Sequence, residues 1–195
     1  MSQFAKKIFT YRSYTPIPFL IVMLIYQEAT LESLIIGFVV SLTGEAFRLW
    51  GVSVAGSETR TTGAVGGTFL VVTGAFAYVR NPLYLGNILL YLGIGIMSMA
   101  LFPYLQVVAL AFFYFQYRII IAQEEEYLVK TFGSQYEDYK KNVPRLIPRL
   151  TPYKNPGVEQ PEYNIKKGLK SETRSLQAFV FVTGILVVLF LMDVN

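Results

Sequence analysis

The sequence contains no cysteine and no histidine, and only 15% of its 195 residues are charged. Without cysteine there are no disulfides, thiol nucleophiles, iron–sulfur clusters or cysteine zinc sites. Without histidine the commonest metal ligand and the commonest general base near neutral pH are missing. We therefore expect no metal site, and any catalysis must use other side chains or the reactivity of a cofactor.

The chain is rich in apolar residues, since 53% of it is hydrophobic. Its charged fraction of 15% is well below the value of about 25% that is typical of soluble domains. The apolar residues form long runs, and a membrane span needs roughly 20 of them. The sequence predicts an all-α integral membrane protein with about five transmembrane helices. The predicted spans are residues 16–31, 33–52, 82–101, 104–122 and 175–192. No clear cleavage site follows the first run, so we expect it to be an uncleaved span.

The polar segments predict how the spans are connected. Residues 55–74 are rich in Gly and Thr and predict a loop at the membrane surface. Residues 123–132 predict a helical extension of the fourth span, ended by Gly133. Ser134 is then predicted to cap a short helix over 135–141, and three prolines exclude a helix through 143–153.

These features divide the chain into three predicted parts. Residues 1–153 form a four-span core with cytosolic tail helices that close a pocket. Residues 154–172 form a polar linker, and residues 173–195 form an additional C-terminal transmembrane helix.

The charge distribution predicts the orientation. With the N-terminus in the cytoplasm, all 17 Lys and Arg residues lie in cytoplasmic segments or at cytoplasmic ends of spans. The outward segments carry only Glu28, Glu32 and Asp193. We expect a multi-pass protein with a cytoplasmic N-terminus and active site and the C-terminus on the opposite side. With a net charge of +4, we expect the basic residues to contact anionic lipid head groups of the bilayer rather than nucleic acid. The sequence does not indicate an oligomeric state.

The first candidate site is residues 73–86. Asn81 and Pro82 are favoured at a helix start, where free N–H groups and the helix dipole attract anions. Arg80 precedes them, and Phe76 and Tyr84 offer aromatic faces that attract cations. The same residues also fit a capped span with interfacial aromatics and a snorkelling arginine.

The second candidate is the run of carboxylates at 124–126. Glu124 or Glu125 could accept hydrogen bonds from both hydroxyls of a ribose, or the run could be a solvated helix start. Within the spans, Glu45 and Arg48 stand one turn apart and can pair. Arg118 lies about one and a half turns before Glu124, and charge within a span is a functional hypothesis by default.

Taken in order, these segments resemble the isoprenylcysteine carboxyl methyltransferase family, and the related phospholipid methyltransferases are similar. The resemblance rests on Gly74-Ala-Phe76, Arg80-Asn-Pro-Leu-Tyr84, Glu124-Glu125, Phe132-Gly-Ser-Gln-Tyr136-Glu-Asp-Tyr139 and Val143-Pro144…Pro148. It covers roughly residues 40–150. It implies an S-adenosylmethionine (SAM) pocket on the cytosolic side. Cofactor contacts would fall on Thr68, Phe69, Leu70, Val71, Phe76, Asn81, Pro82, Leu83, Tyr84 and Glu124. Residues assigned to the reaction are Arg80, Tyr84, Arg118 and Glu125.

Two positions depart from that family's pattern. Asn81 replaces a histidine, and Ile120 replaces an arginine that contacts the prenylcysteine carboxylate, leaving Arg118 as the nearest arginine. The resemblance implies methyl transfer to a lipidic or prenylated substrate, and a carboxylate acceptor needs no general base. A phospholipid amine acceptor would have to lose a proton, with help from Glu125 or Tyr84. The same motifs also leave room for an NADPH-dependent enzyme like the sterol reductases and for a non-catalytic membrane scaffold.

Overall fold

The computed structural model describes residues 3–56, 69–155 and 157–193. These ranges are helical and contain no strands. They form α1 (Gln3–Tyr11), α2 (Pro16–Ile25), α3 (Leu31–Ala55), α4 (Pro82–Ser98), α5 (Tyr104–Phe132), α6 (Ser134–Asn142) and α7 (Ile165–Asp193). A 3₁₀ turn, Gly74–Ala77, precedes α4. Most of the predicted surface loop, with Thr68, falls outside the described residues.

Three helices are long and apolar enough to cross a membrane: α3, α5 and α7. Two shorter apolar helices, α2 and α4, accompany them. The prediction of a helix over 16–31 was too long, because α2 ends at Ile25. Thr30 then starts α3 through a capping box, in which its Oγ1 accepts from Ser33 N at 3.1 Å and Ser33 Oγ accepts from Thr30 N at 2.9 Å.

The contact between α3 and α4 is close because small residues face each other along it. A Cβ on Gly44 would meet the carbonyl oxygen of Gly86, and a Cβ on Gly86 would meet that of Gly44. Ser41 Oγ donates to Leu90 O at 3.2 Å across the same contact. Small residues and hydroxyls of this kind hold helices together in lipid, where burial of apolar surface gives little driving force.

The prediction for α5 is confirmed, since one helix runs through both the fourth span and its polar extension to Phe132. Gly133 follows with φ of +54°, a conformation suited to glycine. The predicted cap was misplaced by one residue: Gly133 is the N-cap of α6, and Ser134 is its first residue. Beyond α6, residues 143–153 contain no helix, as the prolines indicated.

The last helix begins earlier than its apolar run, because residues 165–172 of the predicted linker already belong to α7. This first part packs on the end of α3. Asn164 N donates to Ser53 O at 2.7 Å, and Gly168 lies directly against Ser53. Further along, Phe179 and Leu186 join a buried cluster with Leu90, Ile94 and Met97 of α4. The helix is therefore packed against α3 and α4.

Candidate active site

One cavity of about 820 Å³ lies among the helices, within the usual range for a small-molecule site. Every one of the described helices contributes to its wall, as does the segment 69–71. The residues that line the cavity include Arg12, Arg48, Phe69, Leu70, Val71, Phe76, Arg80, Asn81, Pro82, Leu83, Tyr84, Asn87, Tyr91, Tyr117, Glu124, Glu125, Arg174, Ser175 and Phe179.

Tyr84 and Glu124 form the polar contact at the centre of one end. The Tyr84 hydroxyl donates to Glu124 Oε1 at 2.7 Å. The ring of Tyr84 lies 4.8 Å from that of Tyr117, centroid to centroid, which fixes its orientation. Arg12 lines the same cavity as Tyr84 and Glu124. The second carboxylate oxygen of Glu124 has no hydrogen-bond partner among the described residues and is available to a ligand.

The neighbouring carboxylate, Glu125, is held between two arginines. Arg80 Nη2 lies 3.0 Å from Glu125 Oε1, and Arg145 Nη2 bonds Oε2. The remaining Arg80 donors are also used, because Nη1 donates to Lys140 O and Val143 O, each at 2.6 Å. Arg80 and Glu125 therefore line the cavity as a tightly bonded pair, in which four of the five N–H donors of Arg80 are used within the protein.

A proline-bracketed strap, residues 143–153, closes the wall beside this pair. Backbone hydrogen bonds tie it to residues 77–80: Arg80 N to Pro144 O at 2.9 Å, Arg149 N to Tyr78 O at 2.9 Å and Tyr153 N to Ala77 O at 2.8 Å. The Tyr139 hydroxyl of α6 adds a bond to Phe76 O at 2.7 Å. Burial raises the pKa of Tyr139 well above its usual value, so this hydroxyl stays a donor at any physiological pH.

Asn81 occupies the N-cap position of α4 as predicted, but its side chain makes no capping bond. Its Nδ2 donates instead to Arg145 O at 3.1 Å. Pro82 has no N–H, and the early N–H groups of Leu83 and Tyr84 lack intrahelical acceptors. The Asn81 side chain therefore bonds the strap instead of capping the helix.

The cavity brings together most of the residues predicted from the sequence. Its wall contains Phe69, Leu70, Val71, Phe76, Arg80, Asn81, Pro82, Leu83, Tyr84, Glu124 and Glu125. Thr68 lies outside the described residues. Arg118 is exposed and does not line the cavity, because it stands about 100° around α5 from Tyr117, off the face that Tyr117 and Glu124 share.

Sequence reasoning missed the end of the cavity that lies away from Glu124. There Arg48 bonds Asn87 Oδ1 of α4 and lies 2.5 Å from Glu172 Oε2 of α7. The expected pairing with Glu45 is present at 3.7 Å, and Glu45 Oε1 accepts from Ser175 Oγ at 2.6 Å. One signal could have been used: Tyr84, Asn87 and Tyr91 are polar at helical spacing on one face of an apolar span.

Known proteins resemble the part of the chain that carries most of this site. The profile of the phospholipid methyltransferase family matches residues 33–135, from α3 to the start of α6. The chain belongs to this family. The match includes Arg80, Tyr84, Glu124 and Glu125 and ends before the strap and α7. Family membership together with three apolar helices makes this chain a membrane protein.

Curated relatives match shorter stretches. A protein-S-isoprenylcysteine O-methyltransferase of Schizosaccharomyces pombe is 39% identical over 81 residues, which are 42% of this chain and 34% of the relative. The cobalt-zinc-cadmium resistance protein CzcN of Cupriavidus metallidurans is 32% identical over 108 residues, 55% of this chain and 45% of the relative. A methanethiol S-methyltransferase of Crocosphaera subtropica is 36% identical over 73 residues, 37% of this chain and 27% of the relative. The match thus spans less than half the length of each relative.

Proposed function

We propose that this protein transfers a methyl group from SAM to a lipidic or prenylated acceptor, in the manner of an isoprenylcysteine carboxyl O-methyltransferase. The observation that carries the proposal is Glu124, oriented by Tyr84 in the same cavity as the start of α4. Family membership supports a methyl donor over NADPH or a scaffold without activity.

The residues present fit the chemical parts of SAM. The open oxygen of Glu124 suits the ribose hydroxyls. The early N–H groups of Leu83 and Tyr84 suit the carboxylate, and the aromatic face of Phe76 suits the sulfonium cation. Phe69, Leu70 and Val71 complete an apolar wall beside them.

When bound, SAM supplies an activated methyl: an acceptor lone pair forms the new bond to carbon while the carbon–sulfur bonding pair stays on sulfur as a neutral thioether. The chain's own residues provide alignment and exclude water. The buried Arg80–Glu125 pair holds the start of α4 against the strap, so we assign both residues positioning roles. Tyr84 orients Glu124.

The acceptor is more consistent with an oxygen or sulfur anion than with an amine. The carboxylates in the described cavity wall are Glu124, which is bonded to Tyr84, and Glu125, which is bonded to two arginines. A carboxylate held by two arginines is a poor proton acceptor. Because we assign Glu124 to the ribose, an ammonium acceptor would find no other free carboxylate on the described wall, and phospholipid amine methylation is therefore the second candidate.

The predicted topology of about five spans is part of the proposal. Gln27 bonds Asp193, and Glu28 N donates to Ser98 O at 2.8 Å, so these acidic segments share one end of the bundle. Arg80, Lys140 and Arg145 lie together at the cavity and strap. With the positive-inside rule, these contacts support our proposal that the N-terminus, cavity and strap are cytoplasmic and that Asp193 lies on the other side.

In this arrangement residues 1–153 are the methyltransferase core, and α6 with the strap closes the pocket from the cytosol. The non-helical part of the predicted polar linker, 154–172, ends before Ile165, where α7 begins. The additional C-terminal span, predicted over 173–195, corresponds to the membrane part of α7, whose described residues end at Asp193.

Calorimetry of SAM with the detergent-purified full chain tests the proposal. Wild type is expected to bind in the micromolar range. Glu124→Ala should weaken binding by about 100-fold or more, because each of two charge-assisted bonds contributes about 1.5–3 kcal/mol. Glu126→Ala, which removes the exposed neighbouring carboxylate, is the matched control. Binding of NADPH instead of SAM, or wild-type SAM affinity in Glu124→Ala, would contradict the assignment.

A further inference from the structure

The helix beyond the family match forms one wall of the cavity. Its cavity residues are Arg174, Ser175, Ala178, Phe179 and Val182. They recur at intervals of three and four residues, so one face of α7 is turned toward the cavity. Glu172, fully buried against Arg48, and Ser175, bonded to Glu45, hold that face in place. A helix so anchored is a fixed part of the site.

The arginines of the cavity differ in what they bind. Four line its described wall: Arg12, Arg48, Arg80 and Arg174. Arg48 and Arg80 are each paired with a buried carboxylate. Arg12 donates to Phe9 O at 2.7 Å and lies at the Glu124 end.

The Arg174 side chain makes no hydrogen bond or ion pair with any described residue. It is exposed while lining the cavity, so it lies at the rim. It directly precedes the apolar part of α7, which places it at the level of the lipid head groups.

An apolar surface continues inward from Arg174. Phe179 of α7 and Leu90 and Ile94 of α4 belong to one buried cluster, and all three line the cavity. A cation at the rim followed by apolar walls is complementary to an amphiphile with an anionic head and a hydrocarbon chain. The Asn87, Tyr91 and Tyr117 side chains lie between this surface and Tyr84 at the other end.

We propose that α7 supplies the acceptor subsite, in which Arg174 binds the anionic head of an amphiphile whose chain lies against α4 and α7. The head can be a carboxylate or a phosphate, and the test separates the two. The proposal rests on the proposed function only in taking this amphiphile as the methyl acceptor.

The test measures binding to the detergent-purified full chain of farnesylthioacetic acid, its uncharged primary amide and farnesyl monophosphate. In wild type the acid is expected to bind at least about tenfold more tightly than the amide, as one charge-assisted contact gives. Arg174→Gln should remove that preference by weakening the acid alone, and Arg174→Lys should keep part of it. Lys170→Gln, an exposed cation of α7 outside the cavity wall, should change nothing.

Equal affinity of acid and amide for wild type, or an unchanged preference in Arg174→Gln, would overturn the subsite. Tighter binding of the phosphate than of the acid, lost in Arg174→Gln, would assign a phosphate head. SAM affinity measured on the same variants should not change. If SAM fails to bind while the preference depends on Arg174, the proposed function fails and the anion site stands. If SAM binds through Glu124 without any preference, the subsite alone fails.

Discussion

The Tyr84 hydroxyl donates a hydrogen bond of 2.7 Å to Oε1 of Glu124, which joins α4 to α5 across the cavity. This bond leaves the second oxygen of Glu124 free and holds it in one orientation. The ring of Tyr84 is in turn held by its contact with Tyr117. A ligand hydroxyl that binds Glu124 therefore meets an acceptor whose position is already fixed, at little further cost in side-chain entropy.

Tyr84→Phe should weaken SAM binding about tenfold without unfolding the protein. The ring stays in its packing site, while Glu124 loses a hydrogen bond worth about 1.5 kcal/mol and the orientation it imposed. Calorimetry measures the change. Tyr104→Phe removes the hydroxyl of an exposed tyrosine at the start of the same helix as Glu124 and should have no effect. An unchanged dissociation constant in Tyr84→Phe would show that the bond does not prepare the site.

Glu125→Gln should destabilise the protein strongly, by about 3 kcal/mol, because it leaves the buried Arg80 guanidinium without a compensating charge. The expected readout is a clear fall in the melting temperature in detergent. Glu126→Gln removes an exposed carboxylate whose ion-pair partner among the described residues is the exposed Lys130, so its melting temperature should match wild type. Equal stability of the two variants would contradict a structural role for Glu125.

Arg118→Ala should leave methyl transfer and SAM affinity at wild-type levels. Its position within a predicted span suggested a role in the reaction, but the side chain is exposed and does not line the cavity. The measurement is the steady-state rate at which the enzyme methylates the acceptor. A loss of turnover of tenfold or more, with the melting temperature unchanged, would mean that Arg118 reaches the reacting groups.

Gly44→Val should prevent correct folding, because the added side chain meets the carbonyl of Gly86 and the backbone of Leu90. α3 and α4 would be forced apart, and the hydrogen bond from Ser41 to Leu90 would be lost. Gly184→Val tests the same change on α7, where a Cβ meets nothing within 4 Å. Size-exclusion chromatography should show aggregation for Gly44→Val and a single sharp peak for Gly184→Val.

Features that depend on local sequence were predictable. Gly133 ends α5 because its backbone conformation favours glycine, and the prolines of the strap exclude a helix whatever surrounds them. The end of α2 was not predictable in this way, because no proline or glycine follows Ile25 before α3. α3 starts separately at the Thr30 capping box, so residues 26–30 connect two helices instead of extending α2.

The candidate site shows the same division. The order of the motifs predicted that Phe76, Arg80, Tyr84 and Glu124 share one pocket, and all four line the same cavity. The pairing of Arg80 with Glu125 depends on Arg145 and the strap, which only tertiary packing brings together. The position of Arg174 at the cavity could not be predicted for a related reason, since nothing in the sequence indicates that α7 turns one face to the cavity.

The strap has a consequence for the order of events during synthesis. Residues 77–80 can complete their hydrogen bonds only after Pro144, Arg149 and Tyr153 have left the ribosome. By then α3 and α4, whose contact needs no later residue, are already available to pair in the bilayer. Membrane integration and competence to bind a ligand are thus separate steps in the life of the nascent chain, and a chain released between them would be inserted but inactive.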